Sequence, residues 1–146
     1  MHAKSFLQAL DHDRIVAAIG EAESRSRGEV RVHVASRAVE DVQKAAERQF
    51  EALGMTRTAE RNGVLLFVAP PSRAFAVVGD TAIHERLGAE FWRDVAAAME
   101  ADFRAGLYTD GIVKGVARVG EALAAHFPRE AGRTDVNELP DDVTED

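Results

Sequence analysis

The chain has 146 residues, a formal charge of −7 and no cysteine. That length suits one domain with its own core, and the lack of thiols excludes a disulfide framework, a zinc-thiolate site and a cysteine nucleophile. From Pro128 onward seven acids face two arginines, so the tail carries −5 of the charge, and the nearly neutral body lacks the basic stripe that a nucleic-acid surface needs.

No stretch at the N-terminus or beyond is apolar for long enough to be a secretion signal or a membrane helix. The expectation is a cytoplasmic protein with no membrane span. Residues 3 to 10 read as a short helical lead-in with Phe6, Leu7 and Leu10 able to dock. Asp11 and Asp13 offer N-caps for a helix in which Ile15, Ala18, Ile19 and Ala22 recur at helical spacing, with Gly28 as its stop. Glu29 to Ala35 then alternates, Val30, Val32 and Val34 against Glu29, Arg31 and His33. That is the pattern of a half-exposed strand, placed laterally in a sheet.

Val39, Val42, Ala46, Phe50 and Leu53 return to helical spacing, and Gly54 stands where a C-terminal cap belongs. Strand, helix and strand make a βαβ unit, so Glu29 to Ala35 is expected to run parallel to Val64 to Ala69 through a right-handed crossover. This second run is apolar at every position, as for a strand covered on both faces. Pro70-Pro71-Ser72-Arg73 cannot continue a ladder and reads as a turn. Ala74 to Val78 resumes β-prone residues and closes an antiparallel hairpin. Pairing Ala69 with Ala74 sets Gly63 opposite Asp80, with Asn62 beside them. Because parallel neighbours start at the same edge, Glu29, Asn62 and Asp80 are expected on one rim, with Arg61 and Thr58 nearby.

The rest reads as helical: one or two turns over Ile83 to Leu87, a helix over Glu90 to Arg104, and a last helix capped by Asp110 that carries Ile112, Val116, Val119, Leu123 and Phe127. Gly115 and Gly120 inside it suggest close backbone packing. Pro128 ends the domain, so residues 1–128 form one unit and 129–146 an acidic tail, expected to be mobile or draped. Three strands are legible and a fourth is not.

The ordered set Gly28-Glu29-Val30, Leu53-Gly54-Met55, Thr58, RNGVLLFVA from Arg61 to Ala69, Gly79-Asp80, Gly106-Leu107-Tyr108 and Phe127-Pro128 resembles the TPM domain. That family is named for a thylakoid lumen protein, a photosystem II repair protein and a modulator of nicotinic acetylcholine receptors. Asn137-Glu138-Leu139-Pro140 also resembles the ending of small soluble bacterial members. The resemblance implies an α/β fold: a three-layer α/β/α sandwich, a small mixed sheet of three to four strands with helices on both faces. It further implies calcium or another divalent cation as a ligand, acid phosphatase activity, or an accessory role towards a protein partner. Many relatives carry an export signal and an anchor that this sequence does not show, so roles in a lumen or a receptor ectodomain are not carried over.

Asp80, Glu29, Asn62 and Asp110 are the metal-ligand candidates, because oxygen donors suit Ca2+ or Mg2+. The simpler reading gives Asn62-Gly63 a turn and Asp80 and Asp110 helix caps. Arg61 could hold phosphate in a metal-dependent phosphomonoesterase, or only pair with Glu29. Asp11-His12-Asp13 looks like a haloacid dehalogenase nucleophile motif, yet no strand leads into it. The five histidines form no ligand set, with His33 on the polar face of its strand and the others in separate elements, and most are expected at the surface. Asp135-Val136-Asn137 starts like a calcium loop but lacks its glycine and terminal glutamate. Common phosphate-loop, nucleophile-elbow and zinc-helix motifs are absent. An accessory binding module is the favoured reading. In one version the tail is a docking strip whose deletion leaves thermal stability unchanged.

Overall fold

The computed structural model describes residues 1–129 and 143–146. Five helices appear among them: α1 (Ala3–Ala9), α2 (His12–Ser24), α3 (Val42–Ala52), α4 (Thr81–Arg104) and α5 (Tyr108–His126). The strands are β1 (Glu29–Val34), β2 (Gly63–Ala69), β3 (Ala74–Gly79) and β4 (Val143–Glu145), arranged in the order β3-β2-β1-β4. β1 is parallel to β2 and to β4, and β2 is antiparallel to β3. The fold is therefore the expected α/β class with a mixed sheet.

Side-chain alternation along the strands divides the core in two. Val30, Val32, Val34, Val64, Leu66 and Val68 face α1, α2, α4 and α5, meeting Phe6, Ile15, Ile19, Met99, Ile112 and Leu123. The opposite face carries Leu65, Phe67 and Ala69 against Ala46 and Phe50 of α3, with Met55 of the short 3-10 turn that follows it. Helices thus cover both faces. At a helix interface, α5 comes so close to α2 that a Cβ on Gly120 would lie 2.6 Å from the Ala22 Cβ. This close approach explains a glycine that otherwise weakens the helix.

The hairpin has the register read from the sequence: Ala69 pairs with Ala74 and Val64 with Gly79. The expected pair of late helices is present: α4 is two helical segments that meet at a kink at Gly88, whose φ of 77° and ψ of 166° are not helical. Val39 lies before α3 rather than in it, because Asp41 caps the helix by accepting from the Lys44 N–H. Val39 is held instead by Ser72 of the hairpin loop, which accepts from its N–H and donates to its carbonyl.

Two larger differences concern the edge of the sheet. β1 is interior rather than lateral, and all six of its residues are buried, including Glu29, Arg31 and His33. Its outer neighbour is the missing fourth strand, supplied by residues expected to be mobile or draped: Val32 aligns with Val143, His33 with Thr144 and Val34 with Glu145. Val143 joins the main core at 9% exposure. Residues 130–142, with the calcium-loop fragment and the Asn137–Pro140 ending, lie outside the described residues.

Gly79 offers a test of packing. An added Cβ would stand 2.5 Å from Trp92 Cζ2 and 2.7 Å from Cη2, and the indole is already set edge-on to Phe91 at 5.1 Å. A ring cannot bend away as a flexible chain end can. Gly79→Ala is expected to destabilise by about 1.5 kcal/mol, within the usual range for overpacking. Chemical denaturation checks the size, and emission from Trp92, the single tryptophan, reports the displaced ring.

Candidate functional site

The N-terminal rim of β1 and β2 does gather the expected residues. Glu29 is aligned with Gly63, and the Asp80 N–H donates to the Gly63 carbonyl at 2.9 Å. Strands lie about 4.8 Å apart, so Glu29 and Asp80 are about 10 Å apart through the backbone, separated by β2. Asn62, 1% exposed, uses its Nδ2 to donate to the Arg27 carbonyl at 3.2 Å. It ties the entry of β1 to the entry of β2.

Asp80 is the most heavily used group on the rim. Its Oδ2 accepts from Arg61 Nε at 2.8 Å and its Oδ1 from Arg61 Nη2 at 2.9 Å. Oδ1 also accepts from the Thr81 N–H at 2.7 Å, capping α4. Hydrogen bonding and charge from Asp80 raise the Arg61 pKa above its already high ordinary value. Arg61 therefore pairs with Asp80, not with Glu29 as one reading supposed. Its φ of 52° is in the left-handed region, which costs a non-glycine residue about 1 kcal/mol. Two backbone bonds hold it there: the Arg61 N–H donates to the Thr58 carbonyl at 3.2 Å and the Arg61 carbonyl accepts from the Ala82 N–H at 3.1 Å.

Asp110 is not on this rim. It sits in the first turn of α5 and pairs with Arg14 at 2.9 Å, while Leu107 is the N-cap. Leu123, on the same helix, is the residue that touches Gly28 at the rim. At 1.5 Å per residue Asp110 is about 20 Å further along the axis.

Calcium takes about six to eight oxygen ligands. Both Asp80 oxygens are occupied by donors, Asp110 is remote, and no group of three or more His, Asp or Glu side chains among the described residues could hold a metal. The residues as placed do not fit the ion. A phosphate likewise finds Arg61 already paired.

The sequence reading missed a second cluster, at the outer edge of β1. His33, expected at the surface, is 1% exposed. Its Nε2 is 2.6 Å from Asp146 Oδ1 and its Nδ1 is 2.7 Å from Thr144 Oγ1. A carboxylate can only accept, so Nε2 donates to Asp146, while the Thr144 hydroxyl that meets Nδ1 also donates to the Val32 carbonyl at 3.3 Å. Asp146 Oδ2 also accepts from the Ser36 N–H at 2.9 Å. One face of the ring stacks on Phe67 at 5.7 Å. The only hint in the sequence is that a β-branched pair, Val143-Thr144, interrupts an acidic run.

Burial alone would push the Asp146 carboxyl up, but the Ser36 N–H and the His33 ring outweigh it and hold the group below its ordinary value. The folded chain thus binds this proton less readily than the unfolded chain. The stabilisation is complete above the ordinary aspartate value, near pH 4, and is lost as pH falls through the lower folded value. Asp146→Asn is expected to remove that part of the acid-side loss, measured as the difference between parent and variant melting curves from about pH 5 to pH 2.

A four-stranded mixed sheet between helical layers, with a salt-bridged rim and a strand-clasping edge, defines a small α/β/α sandwich domain. The family model for the TPM domain matches residues 2–122, and the chain belongs to that family. Among solved structures it is similar to the BA42 protein from the psychrophilic bacterium Bizionia argentinensis, with 33% identity, a TM-score of 0.85, and coverage of 94% of this chain and 96% of that one. It is also similar in fold to the N-terminal domain of a protein from P. gingivalis, at 19% identity and a TM-score of 0.57, covering 81% and 75% of the two chains. The N-terminal domain of the cg2496 protein from Corynebacterium glutamicum gives 18% and 0.54, covering 85% and 76%. No curated protein matches. No helix among the described residues is long and apolar enough to cross a membrane.

Proposed function

We propose that this TPM domain is an accessory protein-binding module that takes hold of an extended segment along the outer edge of β1. The observation that carries this reading is the parallel pairing of Val143–Glu145 with β1. An edge that accepts three residues of ladder presents the backbone donors and acceptors of strand addition. Side chains supply the selectivity: a Val143-sized apolar group enters the core, and a carboxylate meets His33 and Ser36. The occupant best suited is therefore acidic, with a β-branched residue three positions before its carboxylate.

The calcium-binding and metal-dependent phosphatase readings find less support. Each needs a carboxylate or a cation that is open to a ligand, and Arg61 and Asp80 are committed to each other.

The test uses the full chain. A fluorescent peptide of residues 140–146 is titrated into the parent and into Asp146→Ala, in which the resident strand has lost its clasp. Binding to the variant about tenfold tighter than to the parent is expected. No binding to either would defeat the reading. Parallel assays add calcium up to millimolar levels and a generic phosphomonoester. Neither a concentration-dependent rise in melting temperature nor turnover is expected.

A further inference from the structure

A cleft of about 870 Å³ opens at the hairpin-loop end of the sheet, between that loop and the C-terminal half of α4. Its volume falls within the range of ordinary small-molecule sites. Phe6, Phe75, Phe103 and Tyr108 line it. Phe75 meets Phe103 edge-on at 5.2 Å and 88°, and Phe6 lies 5.1 Å from Tyr108. Scattered surface apolar groups need no explanation, but an interlocked aromatic set is different. Phe75, Phe103 and Tyr108 are only partly buried, so ring surface is left facing the cleft.

Charge at the mouth narrows the chemistry. Glu100 and Arg104 line the wall but neutralise each other through a 2.7 Å pair. Arg73 also lines the cleft, is exposed, and makes no ion pair with any described residue. Its φ of 49° places it in the left-handed region, where a non-glycine residue is uncommon. An aromatic floor ending at an exposed guanidinium that no described residue neutralises suits a ligand with an apolar ring at one end and a planar anion at the other.

We propose that this cleft binds a small aryl carboxylate, with its ring on Phe75, Phe103 and Tyr108 and its carboxylate on the Arg73 guanidinium. The inference is independent of the strand-addition reading, since no lining residue belongs to β1 or β4.

The test is a two-dimensional amide NMR titration of the full chain with naphthylacetate and with the uncharged naphthylacetamide. The acid is expected to give saturable shifts over residues 72–75 and 103–108, and to bind about tenfold tighter than the amide, the worth of one charge-assisted contact. Arg73→Gly removes the charge and suits the positive φ, so the fold is not strained. It should weaken the acid about tenfold and leave the amide unchanged. Shifts elsewhere, no saturation, equal binding of acid and amide, or an unaffected Arg73→Gly would each overturn the proposal.

Discussion

Asp80→Ala is expected to lower the unfolding free energy by about 2 to 3 kcal/mol, the largest effect foreseen for a single polar side chain here. The carboxylate is 5% exposed and accepts three hydrogen bonds, two from Arg61 and one from the Thr81 N–H. Loss of an N-cap costs about 1 kcal/mol. The ion pair adds less than its geometry suggests, because the Arg61 side chain is 47% exposed and water screens the pair and can take over its donors. Much of the remainder comes from the loop: without Asp80, Arg61 loses a contact that helps hold its left-handed backbone. Arg61→Gly separates the terms, since glycine tolerates the same φ and leaves the cap intact. It should cost clearly less than Asp80→Ala, because water screens the exposed guanidinium. If Asp80 acted as an open ligand and not as a strut, Asp80→Ala would be close to neutral in urea denaturation.

Removal of residues 130–146 is the second large effect. As a docking strip the tail could be deleted without loss of thermal stability, but the pairing of β4 with β1 leads to the opposite expectation. Deletion takes Val143 out of the core, uncovers the outer edge of β1 and strips His33 of Thr144 and Asp146. Burial of one valine is worth about 1.5 to 3 kcal/mol, and each hydrogen bond about 1. The ordering of a few residues, at about 1 to 2 kcal/mol each, offsets much of this. A net loss of about 2 kcal/mol is expected, or a drop of about 4–8 °C in the melting midpoint. An unchanged midpoint would mean that the tail contributes no fold energy. The exposed edge should also raise self-association, which light scattering would register.

The parts of this molecule that were legible in its sequence are those with local or periodic signals. Apolar runs and prolines gave the β2–β3 hairpin and its register, and the helix between β1 and β2 gave their parallel pairing. The rim followed, because register fixes which residues share an edge. What register could not show was commitment: Arg61 turns to Asp80 from a left-handed backbone, a conformation that no periodicity signals at a non-glycine residue. Asp110 was misread as a cap because the preceding Leu107 fills that position without a side-chain bond. The failure at β1 has a different origin. Its polar face looked solvated because Glu29, Arg31 and His33 are residues that water normally keeps. His33 is instead satisfied by partners more than a hundred residues away, and three residues of β4 carry no periodicity from which to read them.

Whether Val143–Glu145 occupies the edge of β1 is tested most directly by NMR of the isotopically labelled full chain. Cross-strand nuclear Overhauser contacts between the Thr144 methyl and the His33 ring are predicted, with the Val143 methyls against core residues and all of these contacts weakened in Asp146→Ala. Random-coil shifts for residues 143–146, with no contact to His33, would contradict it.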